Sequence, residues 1–195
     1  EERKGHEMAT IEIKKPVFEP LIVEVHGTSP LLQSNPAGFT GTGLAPVERD
    51  PWQEYVGSLY WLSERPKNVT EDDIKAGRFG HPSGAFTKAL VGAAYTFARG
   101  AKKAQIRGAV LMLDEYVKLH GQPVQFTALA RNKKGEGIHT NRARWEEWSC
   151  TLQFLFNPEI IRADALANLV DVAGWSIGVG CWRPERGGRF GRFAI

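Results

Sequence analysis

An α+β domain with the element order strand, helix, strand, strand, helix, strand is the architecture this sequence predicts, and three features predict it. Residues 148 to 156 set Trp148, Cys150, Leu152, Phe154 and Phe156 against Ser149, Thr151 and Gln153, the alternation of a half-buried strand. Residues 81 to 100 repeat apolar side chains at helical spacing (Phe86, Ala89, Leu90, Ala93, Ala94, Phe97) and stop at Gly100. The chain closes on a glycine-rich segment that follows a second helical stretch and runs into a short last strand. That order is the βαββαβ of a ferredoxin-like, RRM-like sheet, with two helices on one face. Residues 1 to 195 read as one such domain carrying two large insertions, 28 to 80 and 118 to 144.

The elements follow in order. Residues 21 to 27 alternate, with Leu21, Val23 and Val25 on one face, and end at Gly27. Residues 28 to 50 are rich in Pro and Gly and read as a long loop. Asp50 followed by Pro51 opens a short helix to about residue 62, with Asp50 as N-cap. Residues 63 to 81 read as charged loop. After the 81 to 100 helix come strands at 110 to 117 and 124 to 130, then a hairpin tip at 131 to 137. Asn157 and Pro158 end the strongest strand, and a helix is expected from about residue 159 to 173.

Composition removes several classes. Forty-two per cent hydrophobic residues over 195 positions support a sizeable core, and disorder is excluded. Cys150 and Cys181 are too few for a disulfide framework or a zinc site and fit a reducing compartment. No apolar run is long enough to span a membrane, and the polar residues 1 to 8 resemble no signal peptide. These residues read as disordered or as sequence ahead of an initiator at Met8. A cytoplasmic location without membrane contact, cofactor or metal is expected.

The net charge of +3 hides an uneven distribution. Between Arg99 and Lys134 stand eight basic residues and two acidic ones, and between Arg183 and Arg192 four arginines and one acid, Glu185. Acids gather instead between Glu48 and Asp73. The terminal segment carries Gly178, Gly180, Gly187, Gly188 and Gly191 among Arg183, Arg186, Arg189 and Arg192. Glycines let backbone N–H groups approach a ligand, and guanidinium groups match phosphate. Trp182, Phe190 and Phe193 lie among them, and Arg alternating with aromatic residues suits single-stranded bases on a neutralised backbone. The other account of these residues makes the phenylalanines core and the glycines tight turns.

Lys133 and Lys134 at the hairpin tip, with Arg131, Arg142 and Arg144 on its stems, form a finger suited to a polynucleotide, or else a solvated turn. Lys102, Lys103 and Arg107 follow the first long helix as a further basic group. No lysine-bearing phosphate loop occurs, and Gly178-Val-Gly180 lacks the third glycine of a dinucleotide fingerprint. Asp114-Glu115 and Glu146-Glu147 are adjacent pairs on expected strands, so each pair splits across two faces.

The segment from His26 to Leu32, the strand entered through Arg144-Trp-Glu-Glu-Trp-Ser149, and the end from Gly174 to Phe193 carry a likeness. Through them the chain resembles the RAMP superfamily, ferredoxin-like RNA-binding subunits of CRISPR effector complexes, and in layout small phage and prophage proteins. The resemblance implies that the terminal glycine-rich loop lies against an RNA backbone. It also implies that the insertions touch neighbouring subunits and guide RNA, and that copies assemble along their ligand.

The expected function is therefore non-catalytic binding of single-stranded RNA or DNA through its phosphates, with self-association or association with related subunits. The residues expected to contact nucleic acid are Arg183, Arg186, Gly187, Gly188, Arg189, Phe190, Arg192, Lys133, Lys134, Arg131, Arg142 and Arg144. A second reading is a protein-recognition, inhibitor or scaffold role through Trp52, Tyr55, Trp61 and the 28 to 80 segment. A third, implied by the resemblance, is a metal-independent ribonuclease with His26 or His139 as general acid or base.

Overall fold

Burial alternates along β1 (Glu19–Gly27) as its sequence requires, with Val23 and Val25 inside and Ile22, Glu24 and His26 outside. This strand lies next to one edge of the main sheet in a computed structural model that describes residues 14–38, 50–98, 102–131, 135 and 137–195. One neighbour of β1 is the two-residue β10 (Phe193–Ala194), and the other is β9 (Ser149–Phe156), both antiparallel. The far side of β9 receives β5 (Val110–Met112) at one end and β6 (Tyr116–His120) at the other. From β6 the sheet continues through β4 (Phe79–Pro82) to β3 (Tyr60–Trp61), again antiparallel.

Two long helices complete the core. α3 (Ser83–Phe97) buries Phe86, Ala89, Leu90, Ala93 and Ala94, and α5 (Ala163–Ser176) buries Leu166, Leu169, Val170 and Ala173. These pack with Val23, Val25, Leu152 and Phe154 from the sheet into one hydrophobic cluster. The small residues on α3 let it come close to its neighbours, which is why an alanine-rich face serves as core.

Several expectations change. Residues 63 to 81 are not a loop: α2 (Glu71–Ala76) lies there, followed by β4. Thr70 caps α2 by accepting from Asp73 N–H, while the Asp73 carboxylate accepts from Thr70 N–H at 2.8 Å. Six residues are too few to display a helical period, so only this capping pair signals the helix. The expected strand at 110 to 117 breaks into β5 and β6 at a bend over Leu113–Glu115, where Glu115 C=O accepts from Ser83 N–H at 2.9 Å. Asp114-Glu115 and Glu146-Glu147 therefore occupy bends, not strands. The second helix starts later than expected, because Asn157 C=O accepts from Ile160 and Ile161 N–H and holds a turn first. α1 (Pro51–Ser58) starts as expected, with Asp50 accepting from Trp52 N–H at 2.9 Å, but it ends before residue 62 because Tyr60 and Trp61 pair with β4 as β3.

The two insertions meet in a second, three-stranded sheet. β7 (Pro123–Arg131) and β8 (Gly137–Trp145) pair as a hairpin, and β2 (Leu31–Leu32) adds to the other side of β8. β2 is too short to satisfy β8 along its length, and α1 completes the edge. Glu54 Oε2 accepts from both the backbone and side-chain N–H of Asn141 at 3.0 Å, and Ser58 Oγ accepts from Ala143 N–H at 2.7 Å. Side chains of a helix thus stand in for a neighbouring strand, which leaves no buried β8 donor of these residues without a partner.

The C-terminal loop is tied to the segment leaving β1. Gly191 N–H donates to Pro30 C=O and Cys181 N–H to Leu32 C=O, each at 2.8 Å. Thr28 N–H donates to Arg192 C=O at 2.9 Å, and Arg192 N–H to Ser29 Oγ at 2.9 Å. Among the described residues, no helix is long and apolar enough to cross a membrane.

Gly191 and Gly187 share a left-handed φ of 72°, but a Cβ at Gly191 would collide with Val179 C=O while one at Gly187 meets open space. Gly187→Ala is therefore expected to cost about 1 kcal/mol, the penalty of the backbone alone. Gly191→Ala should cost about 3 kcal/mol or more, since steric displacement adds to it. Urea unfolding of the two variants checks the difference; equal losses would show that the contact with Val179 does not constrain the loop.

Candidate functional site

The terminal loop is built around a strained residue. Trp182 holds φ at 48°, a left-handed conformation costly for a bulky side chain by about 1–3 kcal/mol. The Trp182 carbonyl oxygen accepts from Phe190 N–H at 3.1 Å, and a Cβ at residue 188 would overlap it, so Gly188 is required by the loop itself. The strain sets the Trp182 indole between two elements far apart in sequence. Its ring lies 6.2 Å from Phe190, and the Arg142 guanidinium stands 5.8 Å from the indole.

Arg142 and Arg144 of β8 thus meet the C-terminal loop. Arg144 lies 4.9 Å over Phe126 and 5.8 Å from Phe190, and Arg189 is 5.5 Å from the same Phe190 ring. Phe126 stands opposite Arg142 across the β7–β8 register, which places both on one face. The hairpin stem and the glycine loop are therefore one surface, a union that sequence separation concealed. Lys133 and Lys134 lie outside the described residues, as does the Arg131 side chain.

Individual roles sort differently from expectation. Phe190 is only 4% exposed and packs between Phe126 and Trp182, so its ring backs the arginines and offers no free platform for a base. Phe193 is likewise core, against Phe86 and Trp148. Arg183 is committed to Glu185, at 3.0 Å through Nε and 2.5 Å through Nη2, and to Gly180 C=O at 3.2 Å. Arg144 donates to Glu146 at 2.9 Å. Arg192 turns toward α5, donating to Trp175 C=O at 2.5 Å and lying 4.5 Å over that indole. Arg186 and Arg189 are exposed, and Arg142 is half-buried.

Beside this cluster opens a cleft of about 600 Å³. Its walls are the first two turns of α3 (Gly84, Ala85, Lys88), Lys103 and Arg107 of α4 (Lys103–Ala109), and the loop from Ile177 to Arg186. Its base includes Ser34, Tyr60 and His81. Lys88, Lys103, Arg107, Arg183 and Arg186 face one acid, Glu185. Charge segregated this way in a concave site concentrates anions.

The protonation of His81 follows from its neighbours. Trp145 Nε1–H is a donor only, and at 3.1 Å it requires Gln33 Oε1 as acceptor. Gln33 Nε2 then donates to Gly80 C=O at 2.7 Å and faces His81 Nδ1 at 3.2 Å. Nδ1 therefore accepts, and the imidazole proton sits on Nε2. Burial, at 4% exposure, pushes the His81 pKa from 6.5 to about 4, so the ring stays neutral near pH 7. Tyr60 and Phe86 meet it edge-on and carry no charge. Nothing in the sequence around His81 announces this; only the placement of Gln33 beside it does.

The aromatics of the protein-recognition reading point inward. Tyr55 is buried, its hydroxyl donates to Pro123 C=O at 3.0 Å, and burial pushes its pKa up to about 12. Trp52 Nε1–H donates to Val69 C=O at 3.0 Å and Trp61 Nε1–H to Val56 C=O at 3.4 Å. With their donors met internally they fix α1, while Trp52 and Trp61 stay half-buried at the surface. Cys150 and Cys181 are free thiols, and burial pushes that of Cys150 up to about 12. Among the described residues, no three His, Cys, Asp or Glu side chains gather as a metal site.

Because the His81 pKa is lowered on folding, the unfolded chain binds the extra proton between pH 6.5 and about 4. Its contribution is fully present above pH 6.5 and is lost as pH falls through that window, to a total of about 3 kcal/mol. The pH dependence of urea unfolding should flatten over this range in His81→Gln relative to the unsubstituted protein; parallel profiles would contradict the assignment. Neither the known protein-family models nor the curated protein sequences contain a match to this chain.

Proposed function

We propose that this protein is a non-catalytic nucleic-acid-binding protein that holds single-stranded RNA or DNA through its phosphates, with little sequence preference. The observation that carries the reading is the convergence of Arg142 and Arg144 from the hairpin with Arg189 from the glycine-rich loop on one aromatic base of Phe126, Trp182 and Phe190. Aromatic backing holds guanidinium planes in fixed orientation, which favours bidentate phosphate contact. The exposed Arg186 and the cleft beyond it extend the positive surface.

The fold supports the same reading. Neighbours run β10, β1, β9 and then β5, all antiparallel, with α3 between β1 and β5 and α5 between β9 and β10. Within the larger sheet this order is compatible with a ferredoxin-like reading, and it favours kinship with the RAMP proteins, their habit of polymerising along a strand included. The insertions of this chain form the second sheet, which carries Arg142 and Arg144.

A second reading, recognition of a protein, draws on another surface. The sheet face turned away from α3 and α5 exposes Ile22 at 67% and Leu111 at 58%, with Gln153 and Thr151 between β1 and β5.

Affinity for a long single-stranded oligomer should fall with salt at a log–log slope of about −0.7 per phosphate contacted. Arg186→Glu with Arg189→Glu should lower affinity at least tenfold and reduce the slope by about 1.4, since each exposed arginine accounts for one contact. Light scattering on the complex should show several copies per strand. A protein that ignores the oligomer, or a double variant that binds it unchanged, overturns the proposal, the former outcome leaving protein recognition by the apolar sheet face as the reading that stands.

A further inference from the structure

We infer that the cleft at the first turn of α3 is a binding site for a phosphate monoester, a ligand distinct from the internal phosphodiesters of a strand. Three observations on separate elements meet there. First, α3 is a fifteen-residue helix whose first turn has no acidic residue and no side-chain cap. Ser83 N–H is taken by Glu115 C=O, while the N–H groups of Gly84 and Ala85 have no partner among the described residues. These donors and the positive end of the helix dipole face the cleft that both residues line.

Second, His81 lines the same cleft as a buried side chain whose Nδ1 is occupied by Gln33. Its Nε2–H is left without a partner among the described residues, a neutral donor on a rigid strand. That donor is available to an acceptor bound in the cleft, which the ring lines. Third, the cations exceed what the protein neutralises. Glu185 is spent on Arg183, which leaves Lys88, Lys103, Arg107 and Arg186 without a carboxylate among the described residues.

Neutral donors together with an excess of cations suit an oxyanion of high charge. A monoester carries about −1.5 to −2 charges near pH 7, against one for a diester. The cleft volume of about 600 Å³ falls within the range of small-ligand sites and exceeds the phosphate alone. Two sources present such a group: a free mononucleotide and the phosphorylated end of a strand.

The test uses the whole protein and starts with inorganic phosphate, so it does not depend on nucleic-acid binding. Phosphate should raise the thermal midpoint above that in chloride at matched ionic strength. Gly84→Asp is the informative variant: nothing lies within 4 Å of a Cβ there, and an aspartate in an uncapped first turn favours the helix. The variant should unfold in chloride at the same or a higher temperature than the parent, yet bind phosphate at least tenfold more weakly. Lys103→Glu with Arg107→Glu, both exposed, gives a second route to the same loss.

Adenosine monophosphate bound in preference to adenosine, or a 5′-phosphorylated decamer in preference to its 5′-hydroxyl form, supports the site and identifies its source. No phosphate effect, a Gly84→Asp protein that binds phosphate as the parent does, or phosphate binding with neither organic source preferred overturns it. A protein that takes phosphate but ignores a long 5′-hydroxyl strand refutes the function proposed above and leaves this site standing.

Discussion

The Gln33 amide is the interaction on which the remaining architecture turns. It is wholly buried, and its groups divide between two strands: Oε1 and the backbone N–H reach Trp145 and Ala143 of β8, and Nε2 reaches Gly80 and His81 of β4. One side chain therefore couples the main sheet to the second sheet. Burying an amide without these partners would cost several times the net gain of a typical hydrogen bond. The network also selects one geometry: reversing the amide would set a nitrogen against the Trp145 N–H. The same constraint fixes the imidazole tautomer and so the chemical character of the cleft.

Around that junction the C-terminal loop closes the structure on itself. It threads between the exit of β1 and the face of β8, held by backbone hydrogen bonds to Pro30 and Leu32. Close backbone approach explains Gly188 and Gly191 without reference to any ligand, and a left-handed Trp182 shows that the loop stores strain to aim one indole. Two positively charged regions with different chemistry result. On one side, guanidinium groups rest on aromatic rings; on the other, a first-turn backbone and an imidazole line a cleft shared with several cations. The arginines that look equivalent in sequence divide among ion pair, packing and exposure, so net charge overstates what is available to a polyanion.

Much of the fold was legible because its principal elements are long and periodic. The alternation of residues 148 to 156 and the small-residue face of α3 bury the side chains their patterns indicate. The capping of α1 by Asp50 and Pro51 is local chemistry and needs no tertiary context. By contrast α2, β3 and β4 are too short to hold a period, and the break between β5 and β6 depends on Ser83 meeting Glu115. The arginine and glycine residues of the terminal loop were legible as a group. The separation of Arg192 from it, and the burial of Phe190, were not, since both depend on which face of β8 and α5 the loop meets.

Composition, periodicity and local capping thus determined the class of the fold, the positions of its long elements and the concentration of basic residues near the chain end, because those are properties of near neighbours. Tertiary structure alone decided that the hairpin and the glycine loop share a surface, that Tyr55 is internal while the Trp52 and Trp61 indoles donate within the protein, and that His81 becomes a neutral donor in a basic cleft. Each of these depends on hydrogen bonds or ring contacts between residues tens of positions apart, such as Gln33 with Trp145 and Arg142 with Trp182. Such pairings leave no local pattern in the chain, since the energy that fixes them arises only when the sheets come together.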